Sequence, residues 1–293
     1  MAARAKTTAK SKIMIAGFSG VGKTTLLAAL WHVLTSTDEI TGSIRLARLP
    51  KEAEHLNALR DKWLSCEPVP HTIVASEQNL ILELASADGE SLGAVVLPDL
   101  AGETFGLPWS DRQMPKSMAD LFRDSSGVLL LVHATELRQP VRIRDRTELA
   151  AMLEDGATTP APAEAPSMRT DWHPDASGTD VQLVDLLQCI QSVSGLRSEP
   201  LRLAIGVSAW DLINDASPRG WLQQQLPLLQ QYLESNADLI QLRVYGISAQ
   251  GDDYESGADG LLEKLNPSER IKIEGDGCRP HDVTAPIAWL LGC

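Results

Sequence analysis

Basic residues are the scarcer charge in this 293-residue chain: 26 Lys and Arg stand against 39 Asp and Glu, a formal net charge of −13. A protein that tracks a phosphate backbone needs the opposite balance, so no direct nucleic-acid partner is expected. A local basic pocket for a phosphorylated small molecule stays open. Long apolar runs are also missing. The longest, around residues 128–132, falls far short of the roughly 20 residues of a membrane helix, so no membrane partner is expected. The basic, polar start over residues 1–12 has no apolar core of a signal peptide. Ala2 excludes myristoylation, and Cys293, terminal rather than fourth from the end, gives no prenylation signal. Cysteine is sparse: Cys66, Cys189, Cys278 and Cys293 lie far apart with no CxxC, which argues against a disulfide framework. Cys278-Arg279-Pro280-His281 lacks two further spaced ligands for a metal. These absences point to a cytoplasmic, reduced-compartment protein.

What is present is a globular composition, 43% apolar and 22% charged, enough to build a sizeable core. Residues 1–12 carry Arg4, Lys6, Lys10 and Lys12 without an acid and are expected to be a disordered tail, followed by a single domain over 13–293. Ile13-Met14-Ile15-Ala16 is a short strand-like run. From Thr24 onward Leu26, Leu27, Leu30, Trp31 and Leu34 recur at helical spacing. A second helical stretch over 51–63 places Ala53, Leu56, Leu59 and Trp63 on one face, inside an insertion spanning 37–70. Strands are expected at 80–84 and 94–97 across a turn, Ser86-Ala87-Asp88-Gly89-Glu90. Gly127–Ala134 (GVLLLVHA) has the continuous apolar character of a strand buried on both faces, as do 201–207 and 242–247. A second insertion over 137–180 holds a Pro-, Ala- and Thr-rich stretch, 154–180, expected to be mobile. Helical period resumes at 181–193. Alternating strands and helices imply an α/β domain with a mostly parallel sheet.

Between the first strand and the first helix lies Gly17-Phe18-Ser19-Gly20-Val21-Gly22-Lys23-Thr24, which satisfies G-x-x-x-x-G-K-[ST] at every fixed position. Glycines let the loop curl so that successive N–H groups face a polyphosphate, and the following helix offers its positive end to the same anion. Lys23 is placed for the β and γ oxygens, Thr24 for Mg²⁺, and Thr25 continues the phosphate-binding set. Downstream, Asp99-Leu100-Ala101-Gly102 follows an apolar strand: Asp99 suits Mg²⁺ through a water, and the Gly102 N–H a γ-phosphate.

With Ser208-Ala209-Trp210-Asp211 and Ser248-Ala249-Gln250, each after a strand, these segments resemble the translation-factor-related class of P-loop GTPases, which includes the Ras-like proteins. The resemblance implies a P-loop NTPase three-layer fold, with a helical insertion after the first helix and a disordered one before the base-recognition strand. It implies GTP and GDP as ligands and Mg²⁺ as cofactor. Asp211 stands where the class reads guanine N1–H and N2–H₂, and Ala249 where a backbone N–H meets O6. Ser208 and Ala209 replace Asn and Lys, removing the aliphatic stem that packs on the base, and Gln250 replaces Lys as well. Trp210 offers an aromatic surface nearby, with its relation to the base left open. Closer still, the chain is similar to the bacterial double-GTPase branch, through the helical insertion, Ser-x-Trp-Asp, Ser-Ala-Gln-Gly and a C-terminal Pro286-Ile287-Ala288-Trp289-Leu290-Leu291. That likeness implies a cytoplasmic nucleotide switch with a protein partner, a second GTPase or an effector, and a suggested role in defence against phage.

Thr72, in Pro70-His71-Thr72, is the candidate switch threonine closing on Mg²⁺, with Thr35, Thr37 and Thr41 as rivals. Glu103 stands where Ras-like enzymes orient the attacking water; its charge would slow turnover, and a helix-start Glu is the plainer alternative. The Arg138, Arg142, Arg144 and Arg146 cluster reads as a solvated face, with an arginine finger as the alternative. Two rival functions remain: a non-hydrolysing nucleotide-binding scaffold, and an ATPase of the same superfamily.

Overall fold

Alternation along the strands divides the apolar residues between two faces. A computed structural model describes residues 11–36, 44–68, 79–98, 113–139, 177–195, 199–214, 217–252, 257–264 and 266–293, with Phe105, Trp109, Pro174 and Tyr254 as single positions. In β1 (Ser11–Ala16), Ile13 and Ile15 enter one core, while Met14 and Ala16 enter the other. In β5 (Gly127–His133) Leu129 and Leu131 join the first, and Val128, Leu130 and Val132 the second. That is the period-two rule of a strand buried on both sides. The three layers expected from the sequence are therefore present.

The sheet has eight strands in the order β2-β3-β4-β1-β5-β6-β7-β8, where β2 is Ile44–Leu46, β3 Leu80–Ser86, β4 Ser91–Leu97, β6 Leu201–Ser208, β7 Ile240–Ser248 and β8 Lys272–Gly275. The inner strands β4, β1, β5, β6 and β7 run parallel. β3 joins β4 antiparallel through the Asp88-Gly89 turn, and β2 and β8 add antiparallel edges. Each expected strand is present, most of them longer than its apolar run. β1 begins at Ser11, so Ser11 and Lys12 belong to the sheet, paired with Gly93 and Ala94, and not to the tail.

One face is covered by α1 (Lys23–Thr35), α2 (Ala53–Leu64) and α8 (Ala285–Leu291). The other is covered by α3 (Lys116–Asp124), α4 (Thr179–Ser194), α5 (Pro218–Gln225) and α6 (Pro227–Ser235). A short α7 (Ala258–Leu262) lies before β8. The insertion helix α2 packs on α1: Leu56, Leu59 and Trp63 are buried, and the Trp31 indole donates to Asn57 Oδ1 at 3.0 Å. On the other face, Asp180 of α4 accepts from the N–H groups of Leu228 and Leu229 at 2.9 and 2.7 Å, capping α6 from a neighbouring helix. Among the described residues no helix is long and apolar enough to cross a membrane. The tail over 1–10 and most of the Pro-rich stretch 154–180 lie outside the described residues; the end of that stretch, Thr179 and Asp180, opens α4 and is not mobile, since Asp180 is tied to α6. Cys66, Cys189, Cys278 and Cys293 are not joined in disulfides.

Candidate functional site

Parallel strands open their carboxyl ends along one edge of the sheet, and ligands of open α/β sheets bind there. The phosphate loop leaves β1 at that edge. Its shape depends on backbone conformations closed to most residues: Gly17, Gly20 and Gly22 have φ of 152°, 82° and 80°. At Gly17 a Cβ would also lie 2.8 Å from Val21 Cγ2 and 2.9 Å from the Leu131 carbonyl oxygen. Gly22 is the N-cap of α1, a 13-residue helix with no acid in its first turn, so no side chain of that turn offsets its positive end. That is a cradle for an anion.

Lys23 spans the loop. Its ammonium is buried and donates to the Gly17 and Phe18 carbonyls at 2.7 Å each, with the Phe105 ring 5.8 Å away. The two carbonyls hold the charge at the centre of the curl, and the ring face adds a cation–π contact. The half-buried Thr24 follows in the first turn of α1. A hydroxyl oxygen there suits a hard cation such as Mg²⁺, which takes oxygen ligands.

Beyond the loop a cavity of about 380 Å³ runs to the ends of β6 and β7, lined by Gly20, Gly22, Thr25, Ser208, Ala209, Asp211, Ala249 and Gln250, among others. The segments singled out at 17–25, 208–211 and 248–250 therefore meet around one space. Ser19 and Val21 line a second cavity of about 620 Å³, with Glu136, that shares Leu131 and His133 with the first.

The turns after β6 and β7 are built from within. Ala209 adopts φ 52°, and a 3-10 turn over Trp210–Leu212 carries Asp211 into the cavity wall. Trp210 points away: its ring lies over Gly246 of β7, where a Cβ would come within 2.4 Å of it, and its N–H donates to Glu274 of β8 at 2.9 Å. The aromatic surface noted in the sequence thus braces the turn from the core. Ser208 donates to the Val132 carbonyl at 3.3 Å. The buried Ser248 hydroxyl accepts the Gly251 N–H at 2.9 Å, closing the loop that presents Ala249 and Gln250. Gln250 turns its amide to the Asp252 carbonyl.

Several expected site residues, Thr72, Asp99, Gly102 and Glu103, lie outside the described residues, as do Thr37, Thr41, Arg142, Arg144 and Arg146. Thr35 sits in the last turn of α1, donating to the Trp31 carbonyl at 2.7 Å. Arg138 is exposed, its N–H held by the Thr179 hydroxyl at 2.9 Å. Sequence reasoning missed the contacts of Phe105, Trp63 and Glu274, which meet Lys23, Ala249 and Trp210 from distant segments.

A glycine cradle at a helix N-terminus, on a mostly parallel sheet with an antiparallel flank, defines a P-loop nucleotide-binding protein. The Double-GTPase 1 family model matches residues 14–290, and the chain belongs to that family. It is accordingly a GTP-binding P-loop GTPase in class. Among solved structures it is similar to the signal recognition particle receptor complex SRb-GTP/SRX from Chaetomium thermophilum, at 16% identity over 84% of this chain and 93% of that one, with a TM-score of 0.38. It is also similar to a probable GTP-binding protein, engB, at 12% identity over 86% and 94%, with a TM-score of 0.32. No curated protein matches the chain.

Proposed function

We propose that the chain is a Mg²⁺-dependent GTP-binding and GTP-hydrolysing switch. The observation that carries this reading is the 380 Å³ cavity joining the phosphate loop to Asp211 and Ala249. Lys23 and the loop N–H groups would bind the β- and γ-phosphates, with Thr24, Asp99 and Thr72 on the metal. Bound Mg²⁺ supplies charge neutralisation at the phosphates. Asp211 would accept from guanine N1–H and N2–H₂. Adenine offers no proton at N1, and leaving a buried partner unpaired costs about 1–3 kcal/mol, roughly tenfold in affinity. Gly102 and Glu103 belong to the hydrolytic position, and a carboxylate there, repelled by the γ-phosphate, makes intrinsic turnover slow. Slow turnover gives the GTP state time to meet a partner. The family's name supports a second GTPase, or an effector, in that role; a bacterial defence or regulatory system and a cytoplasmic setting complete the reading.

The test is phosphate release from GTP and ATP, with and without Mg²⁺, in wild type and in Asp211→Asn. Release from GTP alone, dependent on Mg²⁺ and moved toward xanthine nucleotide by Asp211→Asn, is expected. Binding of GTP with no release would establish the non-hydrolysing scaffold instead. Equal release from ATP would remove Asp211 as the base reader and establish the ATPase.

A further inference from the structure

The cavity wall beyond the phosphate loop is short of side chains: Ala209 has no stem to lay across a base, Gln250 turns its amide back to the Asp252 carbonyl, and Ala249 has only its backbone to offer. A loop that reads a ligand with its backbone must be held by something else. Here the hold comes from α2. Trp63, in the last turn of that helix and fully buried, donates its indole N–H to the Ala249 carbonyl at 2.8 Å, across 186 positions of sequence. Trp63 is itself gripped. The Arg270 guanidinium lies 5.6 Å from its ring centroid and donates to the Trp63 and Leu64 carbonyls at 3.3 and 2.9 Å, closing the C-terminus of α2. The His32 ring, on α1, lies 5.2 Å from the Trp63 ring. Arg270 is also adjacent to the loop itself, since its carbonyl oxygen would be 2.3 Å from a Cβ on Gly251, which sits at φ 97°.

We propose that Trp63 is a positioning residue for guanine recognition: by holding the Ala249 carbonyl it fixes the residue whose N–H faces the base. The proposal rests on the guanine-binding reading of the cavity. Ser248 closes the loop from inside through Gly251, while Trp63 fixes it from outside against the helix that follows the phosphate loop. With both anchors made, the distance between phosphate cradle and base loop is set by packed helices α1 and α2. The loop then pays little ordering cost on binding, which is how preorganisation raises affinity. A core tryptophan with no such role would also need an acceptor for its N–H, so what separates the two is the effect on nucleotide preference.

Trp63→Phe keeps an aromatic ring and removes the N–H. Calorimetric titration of wild type and variant with GDP and with ADP, alongside thermal unfolding, separates the two roles. The phosphate end is common to both nucleotides, so the expected result is a GDP affinity about three- to tenfold lower with ADP affinity within twofold of wild type. Equal loss for GDP and ADP, or no loss for either, would overturn the proposal and leave Trp63 as packing. If Trp63→Phe does not fold, Arg270→Lys serves, because an ammonium keeps the charge but cannot hold both carbonyls as a guanidinium does. The same narrowing of the GDP-to-ADP ratio is expected, and an unchanged ratio would overturn the proposal. A wild type that binds GDP and ADP alike overturns the guanine reading itself, and is recognised by that result before either variant is compared.

Discussion

The two ends of the nucleotide cleft are built in opposite ways. At the phosphate end, eight consecutive residues and the first turn of α1 supply the cradle, and Lys23 bonds within the same loop. At the base end, the wall comes from the ends of β6 and β7, and its supports come from elsewhere: Trp63 and Arg270 for the Ala249 loop, Gly246 and Glu274 for the Asp211 turn. A local site tolerates change in the rest of the molecule. A site assembled from distant segments inherits the geometry of all of them, and here two buried tryptophans hold its turns from behind.

The largest effect should come from striking the local end. Lys23→Ala removes a charge-assisted contact to the β and γ oxygens; affinity for GDP and ADP should fall together by about a hundredfold or more. Calorimetry reads the affinities, and circular dichroism checks that the fold persists. Unchanged affinity in a folded variant would sink the phosphate-loop reading.

Gly246→Ala strikes the distributed end without touching a nucleotide. The new Cβ would lie 2.4 Å from the Trp210 ring, which must shift, and overpacking of this kind costs about 1–3 kcal/mol. A lower midpoint of thermal unfolding is expected, together with a GDP-to-ADP preference narrowed by several-fold. Full preference in the variant would show that the Asp211 turn does not depend on its tryptophan brace.

The smallest effect belongs to a residue remote from both ends. Asp180→Ala removes the cap on α6 and should lower stability by about 1 kcal/mol in denaturant titration, with no change in nucleotide preference. Burial lifts the Asp180 carboxyl above its ordinary value, against the lowering influence of the two N–H donors. The folded chain therefore holds this proton more tightly than the unfolded chain. The contribution is fullest in the acid range and is lost as pH rises through the raised value, so the variant's deficit should shrink toward neutrality. A deficit that grows toward neutrality would contradict that account.

The same contrast governs what the sequence makes legible. Gly17 to Thr24 is readable because chemistry and spacing sit in one window, and GVLLLVHA is readable because a doubly buried strand is continuously apolar. The segments around Asp211 and Ala249 are readable only by resemblance, since each alone is an ordinary turn after a strand. β2 and β8 escape because Ile-Arg-Leu and Lys-Ile-Glu-Gly are too short, and too polar in the second case, to show a period. Trp63 shows itself as the apolar face of a helix, which is true, but nothing in that face tells where the indole N–H goes. Glu274 is silent for the same reason: its partner, Trp210, lies 64 positions away.

The most direct test of the account is equilibrium binding of GDP and ADP to the wild-type chain in the presence of Mg²⁺. With Asp211 in the cavity wall and the phosphate cradle common to both ligands, GDP should bind at least about tenfold more tightly. Equal affinities would contradict the assignment of the base end and leave only a phosphate-binding loop.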